Sequence, residues 1–176
     1  MASSPSLLVL VALLALFSPA VLASGREKRT HVRVYVHEQF SGPNATVVNV
    51  APSPFGANST FGEVGAVDDV LRAGPDPSSE EVGRYQGLFA GADVADANYF
   101  AAITLVFTAG EHNGSTLSLQ GKYTFPEDEG LERPVVGGTG GFRMARGFSL
   151  LTVVSTPPEA AVYQLDLFVF TPRRRY

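Results

Sequence analysis

Between Val32 and Val169 apolar and polar residues alternate in short runs with a repeat of two. Val32, Val34 and Val36 are set against Arg33, Tyr35 and His37, and Glu38 continues the valine side. Leu117 and Leu119 alternate with Thr116, Ser118 and Gln120, and Tyr163, Leu165, Leu167 and Val169 alternate with Gln164 and Asp166. Successive side chains of a strand point to opposite faces, so each run reads as a strand with one buried face. Turn-forming clusters separate the runs: Ser41-Gly42-Pro43, Ala73-Gly74-Pro75 and Asn113-Gly114,. Residues 51–60 and 73–80 are rich in Pro, Gly, Ser and Asn and read as loops, and no long stretch has a helical period. The pattern predicts about eight antiparallel strands in an all-β barrel or sandwich, without internal repeat, linker or second domain.

The sharpest punctuation is Gly137-Gly138-Thr139-Gly140-Gly141, between the β-like runs that end at Val136 and resume after Phe142. Glycine tolerates positive φ and lets another backbone approach closely, so the segment predicts a tight strand-turn-strand corner, with Gly138 among the positive-φ positions. A phosphate loop is the competing reading. No Lys-Ser or Lys-Thr pair follows the glycines, and Arg143 stands where a dinucleotide fingerprint needs a small residue,.

Composition narrows the compartment. Leu7 to Phe17 is an apolar run followed by Pro19, Ala20 and Ala23, the form of a cleavable signal peptide over residues 1–23,. The charged Arg26-Glu27-Lys28-Arg29 closes that run short of the ~20 apolar residues a membrane span requires,. Residues 24–31 read as a short flexible basic segment, and residues 32–176 as the domain. Sequons at Asn44, Asn58 and Asn113 add to a secreted, N-glycosylated, extracellular expectation,. With 0 cysteines, an extracellular chain must stabilise itself by packing, and a barrel also pairs every strand edge,.

The chain carries a net charge of −4, with its basic residues concentrated at the ends. Setting aside Arg26 to Arg29 and Arg173 to Arg175 leaves 7 basic and 16 acidic residues, a body without the basic stripe that nucleic acid demands,. The terminal arginines could touch acidic polysaccharide. His31, His37 and His112 show no metal-ligand spacing and no serine elbow, and no cofactor motif is present,. Glu127-Asp128-Glu129 reads as a solvated loop,. What remains is a lined cavity for a small molecule.

Val135 to Gly147 resembles the glycine-rich signature of the plant dirigent family, proteins that steer the coupling of phenoxy radicals. Further segments occur in that family's order: Tyr35-Val36-His37-Glu38, Pro43-Asn44-Ala45-Thr46, Phe61-Gly62, Val67-Asp68-Asp69, Gly74-Pro75, Val82-Gly83-Arg84-Tyr85-Gln86-Gly87, Val106-Phe107-Thr108 and Asn113-Gly114-Ser115-Thr116. The resemblance implies an eight-stranded antiparallel β-barrel with a lumen open at one end, a small phenolic ligand and a homodimeric or homotrimeric assembly. It also implies an apoplastic location and a separate oxidase, a laccase or peroxidase, as the source of radicals. The expected function is to bind phenoxy radicals or quinone methides from monolignols, as in lignan biosynthesis, and impart stereoselectivity without oxidising them. The alternatives are a lyase or cyclase acting on a phenolic substrate and a wall-associated plant defence binding protein without stereocontrol.

Carried over residue by residue, the family's lumen groups are two acids, an arginine and a tyrosine. The first acid is Glu38. The second falls at Tyr123 or Thr124, neither a carboxylic acid, which argues against the lyase. The arginine position is Leu131, and Arg133, two residues on and on the same strand face, is the substitute. The tyrosine position is Phe89, a ring without its hydroxyl. Glu38 and Arg133 are thus the expected catalytic residues, with Phe89, Tyr123 and Arg146 contributing to binding. For Arg146 and Arg84 the competing role is an ion pair with Asp68 or Asp69.

Overall fold

A computed structural model describes residues 27–124 and 130–173. The expected leader, Glu127-Asp128-Glu129 and the last two terminal arginines lie outside the described residues. Within them the chain forms nine strands: β1 (Glu27–Gln39), β2 (Val47–Ala51), β3 (Val64–Arg72), β4 (Glu81–Gly91), β5 (Tyr99–Phe107), β6 (Thr116–Tyr123), β7 (Leu131–Thr139), β8 (Arg146–Ser155) and β9 (Ala160–Pro172). Every pairing is antiparallel, in the order β1-β9-β8-β7-β6-β5-β4-β3-β2, and β1 also pairs β3. The ring therefore closes on eight strands, as expected. The ninth, β2, continues along the same edge of β3: β1 occupies Val70 to Arg72 and β2 occupies Val64 to Val67.

Strand β1 begins at Glu27, five residues ahead of the expected domain boundary at Val32. Residues 27–31 are not a free basic segment, because β9 runs on to Pro172 and offers them a partner edge, Glu27 opposite Pro172 and His31 opposite Phe168. Ring contacts favour the pairing: His31 stacks on Phe168 at 4.6 Å and Arg29 lies over Phe170 at 5.6 Å,.

Alternation fills the interior. Val32, Val34 and Val36 meet Leu165, Leu167 and Val169 of β9, Leu105 and Phe107 of β5, and Leu117 and Leu119 of β6 in one buried cluster. The glycine corner seals one end. After β7 a 3-10 turn, Gly140–Phe142, drives the buried Phe142 against Phe107 (5.7 Å) and His112 (4.9 Å). Positive φ falls at Gly140 (60°), Met144 (60°) and Gly147 (149°), but not at Gly138. Gly138 is needed for proximity instead: a Cβ there would stand 2.5 Å from the Thr116 carbonyl oxygen and 2.8 Å from Phe142.

Candidate functional site

The apolar interior is interrupted by a cavity of about 240 Å³. Val36, Val67, Ala101, Ile103 and Leu151 form apolar walls, and Glu38, Tyr85, Tyr123, Arg133 and Tyr163 bring the polar groups. Each polar residue arrives by the alternation that built the core. Glu38 is two residues beyond the buried Val36, Arg133 lies two before the buried Val135, and Tyr163 two before the buried Leu165,.

Arg133 is fully buried. Its Nη2 donates to the Tyr85 hydroxyl at 2.6 Å, while Nε and Nη1 have no hydrogen-bond partner. The guanidinium lies over the rings of Tyr85 and Tyr123, at 5.7 and 5.6 Å. Those faces offset part of the cost of burying a cation, and the two remaining N–H groups are donors awaiting an acceptor. Burial pushes the Tyr85, Tyr123 and Tyr163 hydroxyls above the ordinary phenol range, so all three stay protonated,.

Glu38 has a carboxyl neighbour. The β1–β3 register runs Tyr35 opposite Arg72, Val36 opposite Leu71 and His37 opposite Val70, and one further step sets Glu38 against Asp69. Asp69 is fully buried and accepts a 2.5 Å hydrogen bond from the Thr46 hydroxyl. Burial raises the pKa of both carboxyls, and their mutual repulsion raises Asp69 further,. Toward one side of the cavity Tyr99 donates to Glu63 Oε1 at 2.7 Å, and burial, with this bond adding to it, pushes that phenol up to about 12. Phe89 meets Tyr99 edge-on at 5.6 Å, and its ring occupies the space a side chain at Gly65 would fill.

Four of the five residues expected to handle ligand, Glu38, Arg133, Phe89 and Tyr123, line this one cavity. Arg146 does not. Inward residues of β8 are Ser149 and Leu151, so the two-residue repeat turns Arg146 outward, where Nη2 donates to Glu27 Oε1 at 2.6 Å and the guanidinium lies over Phe170,. Arg84 takes the other expected role, with Nε 2.9 Å from Asp68 Oδ1. Asn44, Asn58 and Asn113 are all exposed.

Sequence reasoning missed Asp69, Tyr85 and Tyr163. The signal for Asp69 was present: Val67, Asp69 and Leu71 share one face of β3, as Glu38 shares the face of Val36. A carboxyl on an apolar repeat is an inward carboxyl, so the interior holds a second acid, buried behind the cavity wall rather than lining it.

The comparisons agree with the barrel fold. The profile of the dirigent-like protein family matches residues 29–170. Dirigent protein 1 of Arabidopsis thaliana is 40% identical over 146 residues, 82% of this chain and 80% of the relative. Pterocarpan synthase 1 of Glycyrrhiza echinata is 38% identical over 157 residues, covering 87% and 84%. The structure of the pterocarpan synthase dirigent protein GePTS1 superposes with a TM-score of 0.76 at 36% identity, over 85% of this chain and 88% of that one. With the family profile spanning residues 29–170 and relatives near 40% identical over more than four-fifths of its length, the chain belongs to the dirigent-like protein family.

Proposed function

We propose that this protein binds a phenylpropanoid-derived phenoxy radical or quinone methide in the barrel lumen and fixes which face is open to bond formation. The observation that carries this reading is the buried Arg133, whose Nε and Nη1 lack partners beside a cavity-facing carboxyl. A quinone-methide carbonyl or phenolate oxygen can accept from either of these N–H groups, because a donor on a cation matches the charge that oxygen carries. Glu38 lies on the same cavity wall system and supplies or accepts the proton that the ring oxygen or a benzylic leaving group exchanges,. Held between apolar walls, the ligand presents one face to its partner, and orientation alone restricts the geometry of coupling. Radicals come from a separate laccase or peroxidase.

At about 240 Å³ the cavity sits below the ~300–1,000 Å³ of typical ligand pockets, which favours one phenolic molecule at a time,. A second reading, a cyclase that dehydrates a phenolic alcohol and closes a ring, is favoured by the Glu38 and Asp69 carboxyls and by the likeness to proteins named pterocarpan synthases. Both readings pass through a bound quinone methide. The test is to oxidise coniferyl alcohol with a one-electron oxidant in the presence of the protein and resolve the dimers by chiral chromatography. An enantiomeric excess that disappears in Glu38→Gln is expected. Racemic dimers, together with dehydration of a benzylic phenolic alcohol in the absence of oxidant, would transfer the assignment to the cyclase.

A further inference from the structure

We propose that Asp69 is a positioning residue for Glu38: set opposite it across the β1–β3 seam and held by Thr46, it shares a single proton with Glu38 and stores that proton behind the cavity wall. This rests on the reading of Glu38 as the lumen acid and extends it to a residue that does not itself line the cavity.

Three observations carry it. The seam register ends at His37–Val70, Glu38 and Asp69 are the next residue of each strand, and their carboxyls lie within hydrogen-bonding reach of one another. Two ionised carboxylates so placed repel, and only a shared proton makes the pair favourable. Asp69 is fully buried, and while Oδ1 accepts from Thr46, Oδ2 has no donor. A buried carboxylate oxygen without a donor is costly, whereas a proton on it gives Glu38 a hydrogen bond. Finally, Thr46 is placed by the backbone for this role: its N–H donates to Gln39 O and its carbonyl accepts from Asp68 N–H, tying the end of β1 to β3 at the seam.

The surrounding charges leave the proton with the pair. Arg133 of β7 gives only Nη2, to Tyr85 of β4, and hydrogen-bonds neither carboxyl, while Arg84 of β4 is paired with Asp68 on the outer face. Tyr123 of β6 and Tyr163 of β9 remain neutral. With one proton between two carboxyls, the cavity-facing member can give it to a ligand oxygen and leave the charge on Asp69 under the Thr46 hydroxyl, or take one back. A lone buried acid would have no second carboxyl on which to leave the charge.

Infrared pH titration of the protein without ligand tests this by following the carbonyl stretch of protonated carboxylic acids. The native protein should retain one such group near neutral pH, and both Asp69→Asn and Glu38→Gln should lose it, because either amide donates to the remaining carboxyl and lets it ionise. Thr46→Val should move the release to higher pH, since the donor that favours the ionised pair is gone. Two groups in the native protein with one left in each variant, or no shift in Thr46→Val, would mean independent acids and would overturn the proposal. No ligand is involved, so failure here leaves the quinone-methide reading standing, and a racemic product leaves this one standing.

Discussion

Arg133 is the residue on which stability and function pull apart. Buried N–H groups of a cation without acceptors cost free energy, so replacing Arg133 by Met, a side chain of comparable reach, should leave the melting temperature unchanged or raise it,. The same change should weaken binding of a phenolic ligand by about 10- to 100-fold, the equivalent of about 1.5–3 kcal/mol for hydrogen bonds to a charged donor. Calorimetry on both proteins checks the pair of outcomes; a large loss of stability with affinity intact would make Arg133 structural. The lumen acids carry a second signature. Their folded pKa values are raised above the unfolded ones, so the folded state holds the proton more tightly. Their contribution to stability is then fully present below the ordinary carboxylate pKa of ~4 and is lost as pH rises through the raised folded values. Denaturation of native protein and Glu38→Gln at several pH values should show the variant gaining on the native protein as pH rises. A difference flat with pH would contradict the raised values.

At the scale of elements, the alternation legible in the chain places almost everything that matters. Val32 to Val36 announce the face that carries Glu38, and Val67 to Leu71 announce Asp69 by the same rule. What the pattern could not reveal depends on distant partners. The start of β1 at Glu27 is set by the length of β9, and the outward turn of Arg146 by the phase of β8, which few alternating residues near the corner declare. The glycine corner was readable as a turn, but the reason for each glycine was not, since Gly138 is limited by Thr116 of β6 and by Phe142. Gly138→Val should therefore cost about 3 kcal/mol or more, at the upper end for overpacking. Gly137→Ala, where an added Cβ meets nothing within 4 Å, should stay close to native stability. Chemical denaturation of the two variants checks the contrast, and equal losses would return the explanation to backbone conformation.

For the whole molecule, barrel closure gathers chemistry at one place and sequesters it. A closed ring of eight strands joins β1 to β3, and its lumen gathers polar groups from β1, β4, β6, β7 and β9 around one small cavity. Asn44, Asn58 and Asn113 are exposed, as glycan addition at the three sequons would require. Peptide-N-glycosidase treatment of protein isolated from plant tissue should lower its apparent mass, whereas an unchanged mass would argue against that modification. The central claim, that the lumen holds a phenolic ligand by its oxygen, is tested most directly by a crystal structure of the protein soaked with a stable phenolic product. The ligand should lie inside the barrel, its oxygen within hydrogen-bonding distance of Arg133 Nε or Nη1 and its ring within reach of Glu38. A ligand bound on the outer surface, or a lumen left empty at saturating concentration, would contradict it.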